Sequence, residues 1–199
     1  MPIKGYNFPP LIFLTELGTQ CNFAQFYFNE LREAAPKWRE GVRGEDFHTA
    51  MPPRDIMTYC TSFLSSTALI AKFLYSGKRK KQRITSRCTR LRELLGIDTL
   101  PTLRNLAIRN SFEHMDERLD ELFLTIRGGK LDLLSVTGKP PSHDTVVLKR
   151  FDPQRLTISS FNDELSLIDC ESEIRQVQAG IEGAFAKLEE SRFDLWTVG

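Results

Sequence analysis

The sequence predicts a mainly α-helical bundle that ends in a small three-stranded antiparallel β meander and a closing helix. Three observations carry this prediction. Apolar residues recur at helical spacing through most of the first 126 positions, Gly and Pro punctuate those runs, and between Thr145 and Ile168 the periodicity changes to that of short strands. A chain of 199 residues with 41 % hydrophobic residues and 14 Phe can fill one packed domain with an appended subdomain. The division falls near position 127, with a helical domain over residues 1–127. Residues 128–199 form the meander and last helix, packed on the same domain.

The first predicted helix covers Thr19 to Ala35, with Phe23, Phe26, Tyr27, Leu31 and Ala34 at helical spacing and Pro36 placed to stop it. A linker rich in Gly, Arg and Pro follows from about Gly41 to Pro53. From Pro53 or Arg54 to about Tyr75, apolar residues occupy several faces, which marks a central, buried helix ending near Ser76-Gly77. A shorter helix, Ser86 to Leu95, ends at Gly96, a residue suited to the left-handed cap. A long helix then starts near Asp98-Thr99, with Pro101 in its first turn, and runs to about Ile126 ahead of Gly128-Gly129. After the Gly138 to Ser142 loop, the predicted strands are Thr145 to Lys149, Arg155 to Phe161 and Glu164 to Ile168. Phe151-Asp152-Pro153-Gln154 and Asn162-Asp163 supply turn chemistry between them. Cys170 to Ser191 carries Ile174, Val177, Ile181, Phe185 and Leu188 on one helical stripe.

Composition excludes several function classes. Cys21, Cys60, Cys88 and Cys170 are scattered without a Cys-x-x-Cys pair, and the three histidines do not cluster, so neither a zinc site nor a disulfide framework is indicated. No metal or other cofactor is expected, and a reducing cytoplasm is the simplest setting for these thiols. Pro9 and Pro10 interrupt the apolar piece at Leu11 to Leu14, which argues against a signal peptide. The longest apolar stretch, Phe63 to Tyr75, is shorter than the roughly 20 residues that span a bilayer, so no membrane partner is expected. A net charge of +1 means that any affinity for nucleic acid has to come from a local patch.

The chemistry-bearing stretch is Arg109-Asn110-Ser111-Phe112-Glu113-His114, in the long predicted helix. Arginine holds two phosphate oxygens at once and histidine moves protons near neutral pH, the two abilities that metal-free RNA cleavage needs. On a helical wheel with Ile108 at zero, Phe112, Met115, Leu119, Leu122 and Ile126 lie within about 40° of one line and face the core. Arg109 falls at about 100° and His114 at about 240°, on the two shoulders of one polar surface. At that separation they meet one phosphate if Arg109 reaches around the helix or a second copy supplies the partner group. Leu103 and Leu106 fall at about 220° and 160°, so the start of the motif's own face is apolar. A kink, packing within the chain or a homodimer contact through this helix would each explain that, and the homodimer is the favoured expectation.

The pattern of Arg, a polar residue, three variable residues and His in a late helix resembles the HEPN superfamily of α-helical nucleotide-binding and ribonuclease domains. Here the match is Arg109, Asn110 and His114, and the resemblance covers about residues 18 to 127. It implies a HEPN-like helical bundle and a metal-independent endoribonuclease that uses the ribose 2′-OH as nucleophile, in the manner of a toxin or host-defence factor restrained by an inhibitory protein partner. The alternative is a non-catalytic HEPN-like module that binds RNA, a nucleotide or a protein. In the catalytic reading His114 is general acid or base, Arg109 clamps phosphate, and Asn110 orients the imidazole or meets the ribose. Lys78, Arg79, Lys80, Lys81, Arg83, Arg87 and Arg90, followed by Arg92, form a basic run with no acidic residue, suited to RNA backbone contacts. His48 and His143 fall in predicted loops as surface residues, so a two-histidine mechanism would draw His114 from two subunits.

Overall fold

A computed structural model describes residues 9–44, 52–76, 81–105, 107–125, 130–137, 139, 142, 145–161 and 163–194. Among them lie seven helices and six short strands: α1 Pro10–Gly44, α2 Pro53–Leu74, α3 Gln82–Leu95, α4 Pro101–Arg104, α5 Ala107–Glu113, α6 Met115–Thr125, β1 Lys130–Asp132, β2 Ser135–Val136, β3 Thr145–Val147, β4 Arg150–Asp152, β5 Thr157–Ser160, β6 Asp163–Ser166 and α7 Leu167–Asp194. The fold is mainly helical with a small C-terminal strand region, as the sequence predicts.

α2 is the spine. Ile56, Cys60, Phe63, Leu64, Ile70 and Leu74 are buried along it, and α1, α3, α4, α5, β2 and β4 all pack on it. α1 lies alongside with Leu14, Leu17, Cys21, Ala24, Phe28 and Leu31 buried, and α7 closes the other side of α1 with Ile174, Val177, Ile181 and Ala184. α7 is also held to α1 by a chain of side-chain amides, in which Gln25 Nε2 donates to Gln178 Oε1 at 2.5 Å and Gln178 Nε2 donates to Asn22 Oδ1 at 3.1 Å.

α1 is longer than predicted at both ends, and Pro36 sits inside it. A proline within a helix removes one hydrogen bond and costs about 3 kcal/mol. Tertiary contacts offset that cost here: Ala34, Ala35 and Gly41 are buried, and the Trp38 indole N–H beyond the proline donates to the Val136 carbonyl at 3.1 Å. α2 matches its predicted span, and α3 ends as predicted at Gly96, left-handed at φ 66°. Part of the predicted Gly41 to Pro53 linker is thus the last turn of α1; residues 45–51 lie outside the described residues.

The single helix predicted from Asp98 to Ile126 is three. Asn105 leaves helical geometry at ψ 108° and its side-chain Oδ1 accepts the Ala107 N–H at 3.1 Å, so Asn105 ends α4 and caps α5 at once. The N-terminus of α4 is capped from a distance: the buried Glu173 carboxylate of α7 accepts the N–H groups of Thr102 at 2.8 Å and Leu103 at 2.7 Å. This break resolves the mismatched wheel, because changing direction at Asn105 lets both Leu103 and Ile108 face the core.

The meander also shifts. Antiparallel β4, β5 and β6 form it, so its first strand is Arg150–Asp152, part of which reads from sequence as a turn. The turn is the next four residues, where Asp152 Oδ1 accepts the Gln154 and Arg155 N–H groups and Leu156 takes φ 49°. Thr145–Val147 instead pairs in parallel with β1, and β2 adds in parallel to β4. Ile168 belongs to α7 rather than to a strand.

α7 crosses α3 so closely that a Cβ on Gly180 would lie 2.6 Å from the Leu95 carbonyl oxygen, whereas one on Gly183 would meet nothing within 4 Å. Gly180→Ala should therefore destabilise the protein by about 1–3 kcal/mol through overpacking, and Gly183→Ala should be neutral or stabilising by up to about 1 kcal/mol. Urea denaturation followed by circular dichroism tests the pair; equal midpoints for the two variants would contradict this packing.

Candidate functional site

Arg109, Asn110 and His114 lie on α5 and at the turn that joins it to α6. The junction keeps helical hydrogen bonding, since the His114 N–H donates to Asn110 O at 2.9 Å and the Arg118 N–H donates to His114 O at 3.1 Å. The motif's helical spacing is therefore retained across the junction. His114 is 56 % exposed, and its Nδ1 lies 3.4 Å from Glu117 Oε1. The Asn110 side chain is exposed; the side chains of Arg109 and Glu113 lie outside the described residues.

Two residues that the sequence reading passed over hold this segment in place. Ser111 is fully buried and its Oγ donates to Asp163 Oδ2 at the start of β6, and Arg118 reaches the same carboxylate oxygen at 3.8 Å. Asp163 therefore pins both α5 and α6 to the sheet. Within the motif itself, Ser111 is a variable position, and only the fold reveals its partner 52 positions away. Glu117 had a local signal, the i,i+3 spacing from His114 that brings two side chains together on a helix. Nδ1 directed at Glu117 leaves Nε2 as the nitrogen available to a ligand.

Leu103, whose position on the wheel suggested a homodimer contact, is buried within the chain among Leu64, Ala68 and Cys170. Leu106 lies outside the described residues. Intrachain packing thus accounts for the apolar start that Leu103 gives the motif face.

The basic run divides. Lys78, Arg79 and Lys80 lie outside the described residues, as do His48 and His143. Lys81 and Arg83 are exposed at the start of α3, and Arg90 is half-buried. Arg87 is engaged inside the fold: its Nη2 donates to the Lys72 carbonyl at 3.0 Å, and its guanidinium packs 5.3 Å and 5.8 Å from the ring centroids of Phe13 and Phe73. Arg92 likewise stacks over Tyr75 at 5.1 Å. Both act as anchors of α3 on α1 and α2, so their guanidiniums are not presented as simple phosphate contacts.

α3 and α6 sit at different heights on α2, with the start of the motif helix between them. α3 meets α2 at Lys72 to Tyr75, Ile108 lies at Leu64 to Ala68, and Met115 and Leu119 of α6 face Met57, Thr58, Thr61 and Ser62. At 1.5 Å per residue, the eleven positions between Thr61 and Lys72 amount to about 16 Å along the axis.

The four cysteines are buried, and burial pushes the Cys21 thiol up to about 12 and those of Cys60 and Cys170 higher still. Burial and a raised pKa both disfavour the thiolate form that a cysteine nucleophile needs. Among the described residues there is no group of three or more His, Cys, Asp or Glu side chains placed to hold a metal ion, and no helix long and apolar enough to cross a membrane. Comparisons with protein-family models, curated proteins and solved structures found no match to this chain.

Because Ser111 Oγ ties α5 to Asp163 in a buried setting, Ser111→Ala should lower stability by about 1–2 kcal/mol. Asp163→Asn keeps an acceptor for Ser111 and should cost less. Denaturant midpoints with far-ultraviolet detection provide the measurement, and an unchanged Ser111→Ala midpoint would remove this tie from the account.

Proposed function

We propose that this chain is a HEPN-like, metal-independent endoribonuclease centred on Arg109, Asn110 and His114. The observation that carries this reading is His114 itself: an exposed imidazole at a helix junction, with one ring nitrogen beside the Glu117 carboxylate. In this reading Glu117 fixes the tautomer and ring orientation, and Nε2 takes the proton of a ribose 2′-OH as that oxygen attacks the adjacent phosphorus. The phosphorus to 5′-oxygen bond breaks, the 5′-oxygen gains a proton, and a 2′,3′-cyclic phosphate remains on the upstream fragment. Arg109 stabilises the added charge on the phosphate, and Asn110, one turn before His114, meets the ribose or the imidazole. DNA lacks the nucleophile and is not a substrate.

A second reading, a non-catalytic module, is favoured in its protein-binding form by the charge around His114. Asp116, Glu117 and Asp120 are exposed on α6, and the Arg118 guanidinium is drawn towards Asp163, so the described side chains on this turn repel a phosphate more than they attract one.

In excess chelator, purified protein should cleave single-stranded RNA and leave DNA of the same sequence intact. His114→Ala and Arg109→Ala should each reduce the rate by at least about 100-fold, the scale of a lost general base or charge stabiliser. Glu117→Gln should reduce it less. RNA left intact by the wild-type protein, or cleaved equally by the variants, would leave the binding module as the reading.

In this reading a second copy's His114 is the partner acid or base, which makes the active form a homodimer. Multi-angle light scattering on eluted protein should then give twice the chain mass at micromolar concentration; a monomer that still cleaves RNA would rule the two-subunit site out.

A further inference from the structure

A second candidate site lies on the opposite shoulder of α6. An open groove of about 540 Å³ runs between the N-terminal half of α2, the start of α6 and the segments around β2 and β4. That volume is in the range of small-molecule sites. Met57, Met115, Leu119, Leu133, Leu134 and Leu148 make its floor and walls. The hydroxyls it holds from Thr58 and Thr61 already donate to carbonyls of their own helix, at 3.0 Å to Arg54 and 2.8 Å to Met57. The wall therefore presents mainly apolar surface to an occupant.

Among the described residues that line the groove, the charged ones are Arg54 and Lys149, both cationic. Neither cation has an ion pair among the described residues. Lys149 is half-buried, with Nζ held 5.2 Å from the centroid of the Phe112 ring. Arg54 is exposed at the other end of the α2 wall, eight residues before Ser62 and thus about 12 Å along the helix.

We propose that this groove binds a free medium-chain carboxylate, its head at Lys149 and its unbranched tail along Met57, Met115 and Leu119. An apolar trough of about this length removes a flexible chain from water, which stabilises by about 0.8 kcal/mol per buried CH₂. A half-buried ammonium selects an anionic head over a neutral one, because its charge is screened less than an exposed one. The site is independent of RNA cleavage. On the wheel His114 lies about 120° from the groove side of α6, so the groove is occupied without covering that residue.

Isothermal titration of the full chain with dodecanoate, below its micellar concentration, tests this. One equivalent should bind saturably. Dodecanol, the neutral counterpart, should bind at least 10-fold more weakly, as should dodecanoate to Lys149→Gln. Thr58→Trp, at an exposed position on the groove wall, should abolish binding while thermal melting confirms that the variant is folded. Absence of saturable binding, equal affinity for acid and alcohol, or full binding by folded Thr58→Trp would each overturn the proposal.

Discussion

The rest of the structure depends on the burial of a wide apolar face of α2. Ile56, Cys60, Phe63, Leu64, Ile70 and Leu74 lie on that face and are covered by neighbouring elements, while a stripe through Arg54, Thr58, Thr61, Ser65, Leu69 and Lys72 stays exposed. α1 covers the longest strip, α3 and α4 take the C-terminal end and middle, and α5, α6, β2 and β4 fill the remainder. A helix so enclosed fixes the heights of its neighbours. The position of the motif helix follows from which apolar residues it can offer to α2: Ile108 meets the level of Leu64, and Met115 and Leu119 meet the level of Met57 to Ser62.

Two carboxylates turn that packing into a specific arrangement. Apolar contact alone would tolerate some sliding of α4, α5 and α6 along the spine. Glu173 removes that freedom at one end by accepting two backbone N–H groups of α4, and Asp163 does so at the other by accepting from Ser111 and drawing in Arg118. Both carboxylates come from the C-terminal third of the chain. The meander and α7 are therefore what hold the motif segment in register, although the motif resemblance stops before them. Removing residues after 128 would take away these two acceptors and uncover the faces of α1, α3, α4 and α5 that α7 and the sheet now bury.

The sequence made the helices of the core legible because their signals are long and periodic. α2 and the Gly96 cap of α3 follow from apolar spacing and glycine chemistry alone. What it did not disclose depends on partners distant in the chain. Pro36 reads as a stop until Trp38 and the buried alanines beside it are seen to hold the helix together beyond it. Asn105 reads as an ordinary polar helix residue, and its capping role appears only with the break between α4 and α5. Strands of two to four residues, such as β2, carry too little period to be placed. At the candidate site, Arg109, Asn110 and His114 stand out as residue types, and Glu117 by spacing. Ser111 and Asp163 need the fold.

The distribution of charge limits how a polyanion would approach. The exposed carboxylates Asp116, Glu117 and Asp120 of α6 lie within two turns of His114, and Glu117 sits directly beside its imidazole. The cation among them, Arg118, is drawn to Asp163 and Glu121. In the proposed catalytic reading a phosphate at His114 would therefore be held from the α5 side, where Arg109 is the motif's cation and Asn110 its neutral neighbour.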